Sequence, residues 1–473
     1  MSATSAMSAE NREQNMINLS DKSNLLEKES YRYELQDVEK PNLFEDQFEY
    51  DEVPKVVFNH RLVPKSMPEH IYITDTTFRD GQQAVTPYTV GQIKDLYSML
   101  ARLGGKNGII RATEFFVYSD KDKRAIEECR DLGYEFPEIT TWIRANKEDF
   151  ALVKNMGIKE TGILVSCSDY HIFKKMGLTR RQAMDKYLGT VKDALSAGII
   201  PRCHMEDITR ADYYGFVLPF VWQLEKLSEE ANVPIKVRAC DTMGYGVPYS
   251  EAALPRSVSG LVYGLHYYTG MKSDQIEWHG HNDFYMGVAN ATTAWLYGAG
   301  SVNCSLLGIG ERTGNVPLEA MVMQYASLKG TLDGMEPSVI TEIARYYKDE
   351  IGYKIPPQTP FVGDYFNVTR AGIHADGILK DEQIYNIFNT SKILNRPVGV
   401  MITSASGLAG IAYWLNDHFE DKFGKIDKKD ELVAKIKDRI DQIYANGRQT
   451  AMSDDEMFAI VEELSDGKYV AKR

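Results

Sequence analysis

Long apolar runs are missing from this 473-residue chain. No stretch approaches the roughly 20 apolar residues a membrane-spanning helix needs. The first residues, MSATSAMSAENREQ, lack the apolar centre of a secretory signal, so an exported protein is not expected. Cysteine is scarce: Cys129, Cys167, Cys203, Cys240 and Cys304 show no C-x-x-C pairing. Four of them fall in apolar, strand-like runs. Buried free thiols in a reducing cytoplasm are the expected state. Positive charge is in deficit too. A net charge of −13 disfavours nucleic acid and anionic membranes as partners. An anionic substrate would need a local cationic site to offset that field.

What is present is a rhythm. Up to about Met67 the chain is polar and weakly periodic, and reads as an N-terminal extension (1–68), partly helical or disordered. From His70 on, β-rich apolar runs recur: IYITDT at Ile71, RATEFFV at Arg111, EITTWI at Glu138, TGILVSC at Thr161, IIPRCHM at Ile199, IKVRACD at Ile235, QIEWHGH at Gln275 and SVNCSLL at Ser301. Helical patterns such as GQIKDLYSMLARLG lie between them. Eight strand–helix alternations predict an α/β fold, a (β/α)8 TIM barrel over 69–332. A doubly wound open sheet is the competing arrangement. Beyond it, ITEIARYYKDEIG, ASGLAGIAYWLNDHF and ELVAKIKDRIDQIYANG predict a mostly helical C-terminal subdomain, 333–473.

In such a barrel the reacting groups stand at the C-terminal ends of the strands. Arg79 and Asp80 follow the first run, Glu206 and Asp207 end the fifth, and His279 and His281 end the seventh. On a strand, residues two apart point the same way. His279 and His281 can therefore reach one metal ion, with Asp80 as the natural anionic ligand. One carboxylate, two imidazoles and open positions suit Mg²⁺, Mn²⁺ or Zn²⁺ acting as a Lewis acid on a keto oxygen. The same period puts Arg202, His204 and Glu206 on one face. They would line the same pocket, or Arg202 and Glu206 would form a buried ion pair. The loop GIGERTGN resembles a dinucleotide fingerprint only superficially, because Thr313 stands where its third glycine belongs. Its glycines would let backbone pass close to a ligand.

The motifs DTTFRDGQQ, EDITRAD, DTMGYGVP, HGHND, GIGERTGN and AGIHADGILK, spread over Ile71 to Tyr385, resemble those of the metal-dependent condensing and carbon–carbon-cleaving barrel enzymes. These DRE-TIM metallolyases include the isopropylmalate, homocitrate and Re-type citrate synthases. The resemblance implies Asp80, His279 and His281 as metal ligands, Asn315 as a further ligand or near-ligand, and Mn²⁺, Mg²⁺ or Co²⁺ as the ion. It implies that Arg79 stabilises charge on the keto or enolate oxygen and that Glu206 and His374 handle protons, with Tyr385 nearby. Thr242 would lie near the keto acid's carboxylate, with Arg144 and His204 among the substrate-binding groups. His374 would serve the partner subunit's site in a homodimer. His171, in CSDYHIFKKMG, matches a histidine whose role, catalytic or structural, is open.

The implied reaction is a condensation of acetyl-CoA with a 2-oxo acid, followed by thioester hydrolysis. Arg202 stands four residues before Glu206, where homocitrate synthases carry an arginine for a distal carboxylate, and this points to a dicarboxylic acid. Phe284 and Tyr285 replace the usual Leu-Gly and would shorten the pocket, favouring oxaloacetate and hence citrate. Alternatives are 2-oxoglutarate, 2-oxoisovalerate, a lyase related to hydroxymethylglutaryl-CoA lyase, and a silent metal and keto-acid sensor.

Overall fold

The computed structural model describes residues 32–144 and 148–469. They fall into two units that divide between Glu336 and Pro337.

The first unit is built on eight parallel strands closed into a barrel: β1 (Tyr72–Asp75), β2 (Ile110–Phe115), β3 (Glu138–Ile143), β4 (Glu160–Ser166), β5 (Ile200–Glu206), β6 (Lys236–Asp241), β7 (Ile276–Gly280) and β8 (Ser301–Cys304). Each coincides with one of the eight runs. Closure comes from β1 pairing with β8, Tyr72 with Ser301 through Asp75 with Cys304. The open sheet is thereby excluded. Parallel pairing aligns all strand ends at one rim, and β4 and β5 run in step from Glu160–Ile200 to Ser166–Glu206.

Helices α1 (Val90–Gly104), α2 (Asp120–Arg130), α3 (Asp149–Asn155), α4 (Arg180–Ser196), α5 (Leu218–Ala231), α6 (Val258–Tyr267), α7 (Gly287–Leu296) and α8 (Leu318–Lys329) follow the strands in turn. The starts of α1, α2, α4 and α6 are capped by a local side chain, Thr89, Ser119, Thr179 and Ser257. Thr89 and Gln92 form a reciprocal cap on α1, and Ile93, Leu96, Tyr97, Leu100 and Leu103 form its buried stripe, the spacing an amphipathic helix requires.

The part of the N-terminal extension that is described, 32–67, contains no helix. It is an extended strap, in contrast to the partly helical arm expected. Its polar backbone finds partners on the barrel as well as in turns of its own, where Phe48 N donates to Phe44 O and Lys55 N to Gln47 O. Gln36 N donates to Gly215 O, and Asn42 N donates to Asp169 Oδ2 at 2.6 Å. The expectation for 1–31 lies outside the described residues.

The second unit holds α9 (Val339–Asp349), α10 (Gly372–Lys380), α11 (Thr390–Leu394), α12 (Gly407–Phe423), α13 (Glu431–Ala445) and α14 (Asp454–Leu464). A two-stranded parallel ribbon, β9 (Val368–Thr369) with β10 (Gly399–Val400), joins them. Ile411, Leu415, Val433, Ile436, Ile440, Met457 and Val461 form its core. No described helix is long and apolar enough to cross a membrane.

Candidate active site

Directly after β1 the chain folds back on itself. The amides of Arg79, Asp80 and Gly81 all donate to Thr76 O. This tight turn aims Arg79 and Asp80 across the rim. β7 brings His279 there one residue before its end, and His281 follows directly after Gly280. The Nε2 atoms of the two histidines are 3.4 Å apart, and each lies 4.0 Å from Asp80 Oδ2. All three side chains are buried.

The protonation states fit a cation. Asn303 Nδ2 donates to Thr74 Oγ1, which turns Asn303 Oδ1 toward His279 Nδ1 at 2.8 Å. Nδ1 then carries the proton, and the Nε2 lone pair faces the cluster. Burial pushes the His279 imidazole down to about 3, with His281 acting in the same direction. His281 is lowered by burial as well. Burial alone would raise the Asp80 carboxyl, but Arg79 and both histidines outweigh it and hold it at about 2. Asn315 Nδ2 donates to Asp80 Oδ2 at 2.8 Å, and its buried Oδ1 has no partner among the described residues. A Cβ on Gly310 would stand 2.7 Å from the Asn315 amide, so the loop needs glycine there for the amide to fit. Two neutral imidazole nitrogens facing one carboxylate, beside an unpartnered amide oxygen, make a donor set for a divalent metal ion.

Arg79 is held from two sides. Its Nη1 donates to Asp80 Oδ1 at 2.8 Å and its Nε to Glu114 Oε2 at 2.7 Å. Glu114, on β2, also receives Arg202 Nη2 at 2.7 Å and Arg238 Nη1 at 3.1 Å. Burial works against its ionised form, but Arg238, Arg79 and His204 outweigh it and hold it well below the usual carboxylate range. Neither Glu114 nor Asn303 was among the residues expected. The available signal was a lone Glu in RATEFFV and a lone Asn in SVNC, polar residues in otherwise β-rich runs.

Glu206, at the end of β5, is one-fifth exposed. It accepts from Ser166 Oγ, from His171 Nδ1 at 3.1 Å and from Lys175 Nζ at 3.4 Å. Thr242 Oγ1 accepts from the amide of Asp207 at 2.8 Å, which ties the ends of β5 and β6 together.

Several expected site residues of the first unit do not join this group. Arg202 and His204 point inward from β5 below the rim and are buried. Arg202 Nη1 donates to Glu160 at 2.6 Å and its Nε to His204 Nε2 at 3.3 Å. This corrects the expected buried pair of Arg202 with Glu206. Its ionic partners are Glu114, Glu160 and, at 3.7 Å, Glu277, while Glu206 sits four residues higher, about 13 Å along a strand. Gly162 makes room for the His204 ring, since a Cβ there would come within 2.5 Å of Nε2. Arg144 stands past β3, 64% exposed, and pairs with Asp149 at 3.3 Å. Phe284 packs on Tyr245 with ring centroids 5.8 Å apart. Tyr285 is 91% exposed, so its ring does not shorten the pocket as expected. A left-handed backbone, φ 58°, throws it outward. Within the second unit His374 packs on Tyr385 with ring centroids 4.4 Å apart and planes tilted by 43°, and Thr369 Oγ1 lies 3.2 Å from its Nδ1.

Residues 70–346, more than half of the chain, match the HMGL-like family, and the chain belongs to that family. Over 440 residues it is 56% identical to a citrate (Re)-synthase of Clostridium kluyveri, covering 93% of this chain and 97% of the relative. A citrate (Re)-synthase of Syntrophus aciditrophicus is 57% identical over 92% of this chain and 69% of its own length. A 2-phosphinomethylmalate synthase of Streptomyces hygroscopicus is 36% identical over 91% and 98%.

Proposed function

We propose that this chain is a Re-type citrate synthase, an acyltransferase that condenses acetyl-CoA with oxaloacetate and hydrolyses the thioester to citrate and CoA. The observation that carries this reading is the 56% identity along nearly the full length of both chains with a relative named for that reaction. Asp80, His279 and His281 would hold a divalent ion, Mn²⁺, Mg²⁺ or Co²⁺, with Asn315 beside it. Bound there, the ion would supply Lewis-acid polarisation of a keto group. Arg79 uses Nε and Nη1 on Glu114 and Asp80. This leaves its Nη2 without a protein partner among the described residues, free to meet negative charge developing on an oxygen. Glu206 is the carboxylate placed for proton transfer at the mouth. Thr242 shapes the neighbouring wall through Asp207. His374 and Tyr385 complete the set in a homodimer, where His374 of one protomer serves the other's site. A cytoplasmic setting is supported by five cysteines, all buried and none in a disulfide.

The test is CoA release from acetyl-CoA offered with oxaloacetate, 2-oxoglutarate or 2-oxoisovalerate. Release with oxaloacetate and formation of citrate are expected. Release with 2-oxoglutarate or 2-oxoisovalerate alone would make the chain a homocitrate or isopropylmalate synthase. Release with none would leave a binding protein.

A further inference from the structure

The rim segment after β4 contains a π-type turn, as does the one after β5 at Tyr213–Val217, and what the first delivers to Glu206 is specific. Met176 N donates to His171 O, a five-residue spacing that makes Tyr170–Lys175 a π-type turn, a rare conformation that recurs at functional sites. The turn is pinned at its start. Asp169 accepts Arg180 Nε at 2.9 Å and Nη2 at 2.7 Å, and it also takes the Asn42 amide from the strap. Tyr170 OH donates to Leu43 O at 3.0 Å. So anchored, the turn points His171 and Lys175, four residues apart, at one carboxylate. His171 Nδ1 is 3.1 Å and Lys175 Nζ 3.4 Å from Glu206 Oε2, while His171 Nε2 lies 3.7 Å from Asp207 Oδ2. The imidazole thus lies between Glu206, which ends β5, and Asp207, which follows it.

We propose that His171 is a positioning residue that fixes the Glu206 carboxylate for the proton-transfer step, with Lys175 covering the same oxygen from the solvent side. The inference rests on the reading of Glu206 as the proton-handling group. A carboxylate must meet the substrate proton in one orientation, and Glu206 is attached only at the end of a strand. Hydrogen bonds from Ser166, His171 and Lys175 remove its rotational freedom. They also set its charge. Burial would raise the Glu206 carboxyl, but the bonds from His171 and Ser166 and the charges of His171 and Lys175 outweigh it and bring it to about 2. The other titratable groups facing it are Asp207 on the following loop, Cys167 just past the end of β4, Cys240 on β6 and Tyr187 on α4. None of these donates to the carboxylate.

The test compares His171→Ala, His171→Asn, Lys175→Met and Glu206→Gln in the metal-loaded protein, reading kcat, KM, the pH profile and infrared titration of the Glu206 carboxylate. His171→Ala should lower kcat about ten- to hundredfold, by analogy with other groups that tune acid–base catalysis, with KM for acetyl-CoA within about threefold. Its acid limb should move to higher pH, toward the ordinary carboxylate range near 4.3. His171→Asn, whose amide still donates, should recover part of the loss, and Lys175→Met should give a smaller shift of the same sign. A merely structural histidine would lower stability without moving the acid limb. Parental kcat, acid limb and infrared titration in His171→Ala would overturn the proposal. If instead Glu206→Gln keeps full activity, the reading of Glu206 fails. The infrared titration then still reports whether His171 controls that carboxylate.

Discussion

Glu114 Oε2 and Arg79 Nε stand 2.7 Å apart, joining the second strand of the barrel to the turn that carries Asp80. The pair sets the direction of the guanidinium whose Nη1 donates to Asp80 Oδ1 in the metal-binding cluster. Glu114→Gln keeps the size but removes the charge opposing Arg79, Arg202 and Arg238. Breaking one partner of a buried ionic set costs about 3–5 kcal/mol, so urea unfolding should show a loss of that order. Because Arg79 also loses its aim, kcat should fall more than tenfold in whatever remains folded. A variant with parental kcat would show that Asp80 alone holds Arg79.

His279 owes its ligating tautomer to Asn303. Outer partners of metal-binding histidines typically matter about 10–100-fold in affinity. Asn303→Ala should therefore weaken Mn²⁺ binding by that factor, read by titration calorimetry on the stripped protein, and His279→Ala should abolish it. Unchanged affinity in Asn303→Ala would assign the proton on His279 to another cause.

Arg202 separates two accounts of the oxo-acid pocket. Its guanidinium is taken up by Glu114 and Glu160 inside the barrel. Arg202→Leu should strand those carboxylates and destabilise the fold by about 3–5 kcal/mol. A folded variant of parental stability with a strongly raised KM for oxaloacetate would mean that the guanidinium leaves these acids for the substrate.

The contrast between Arg202 and the two histidines shows what a linear pattern carries. Period two told correctly that His279 and His281 share a face, and that Arg202, His204 and Glu206 share one. It says nothing of height along the strand, and height decides whether a side chain reaches the rim or the interior. The eight strands were legible because each is a β-rich run in a regular series. The ionic partners of Arg202 lie on β2, β4 and β7, and no local spacing links Glu114, Glu160 and Glu277 to Arg202. Tyr285 escaped for a different reason: its direction follows from a positive φ at a non-glycine residue, an exception to the usual steric preference. Asn303 was hidden because a polar residue in a buried strand shows its purpose only once its neighbour is known.

His204 gives the fold a dependence on acid that can be measured. Burial and Arg238 push its imidazole down to about 3, against the pull of Glu114. In the unfolded chain the ring titrates near its ordinary value of about 6.5. A histidine kept neutral in the fold contributes stability in full above the unfolded value. That contribution is lost as pH falls from about 6.5 toward 3, because the unfolded state gains a proton the folded state refuses. One such group adds a slope of up to about 1.4 kcal/mol per pH unit in that window. Unfolding free energies of the parent and His204→Gln, measured in urea between pH 7 and 4.5, should converge as pH falls, since the variant lacks this slope. Parallel curves would place a proton on His204 in the folded barrel, shared with Glu114 at 3.3 Å.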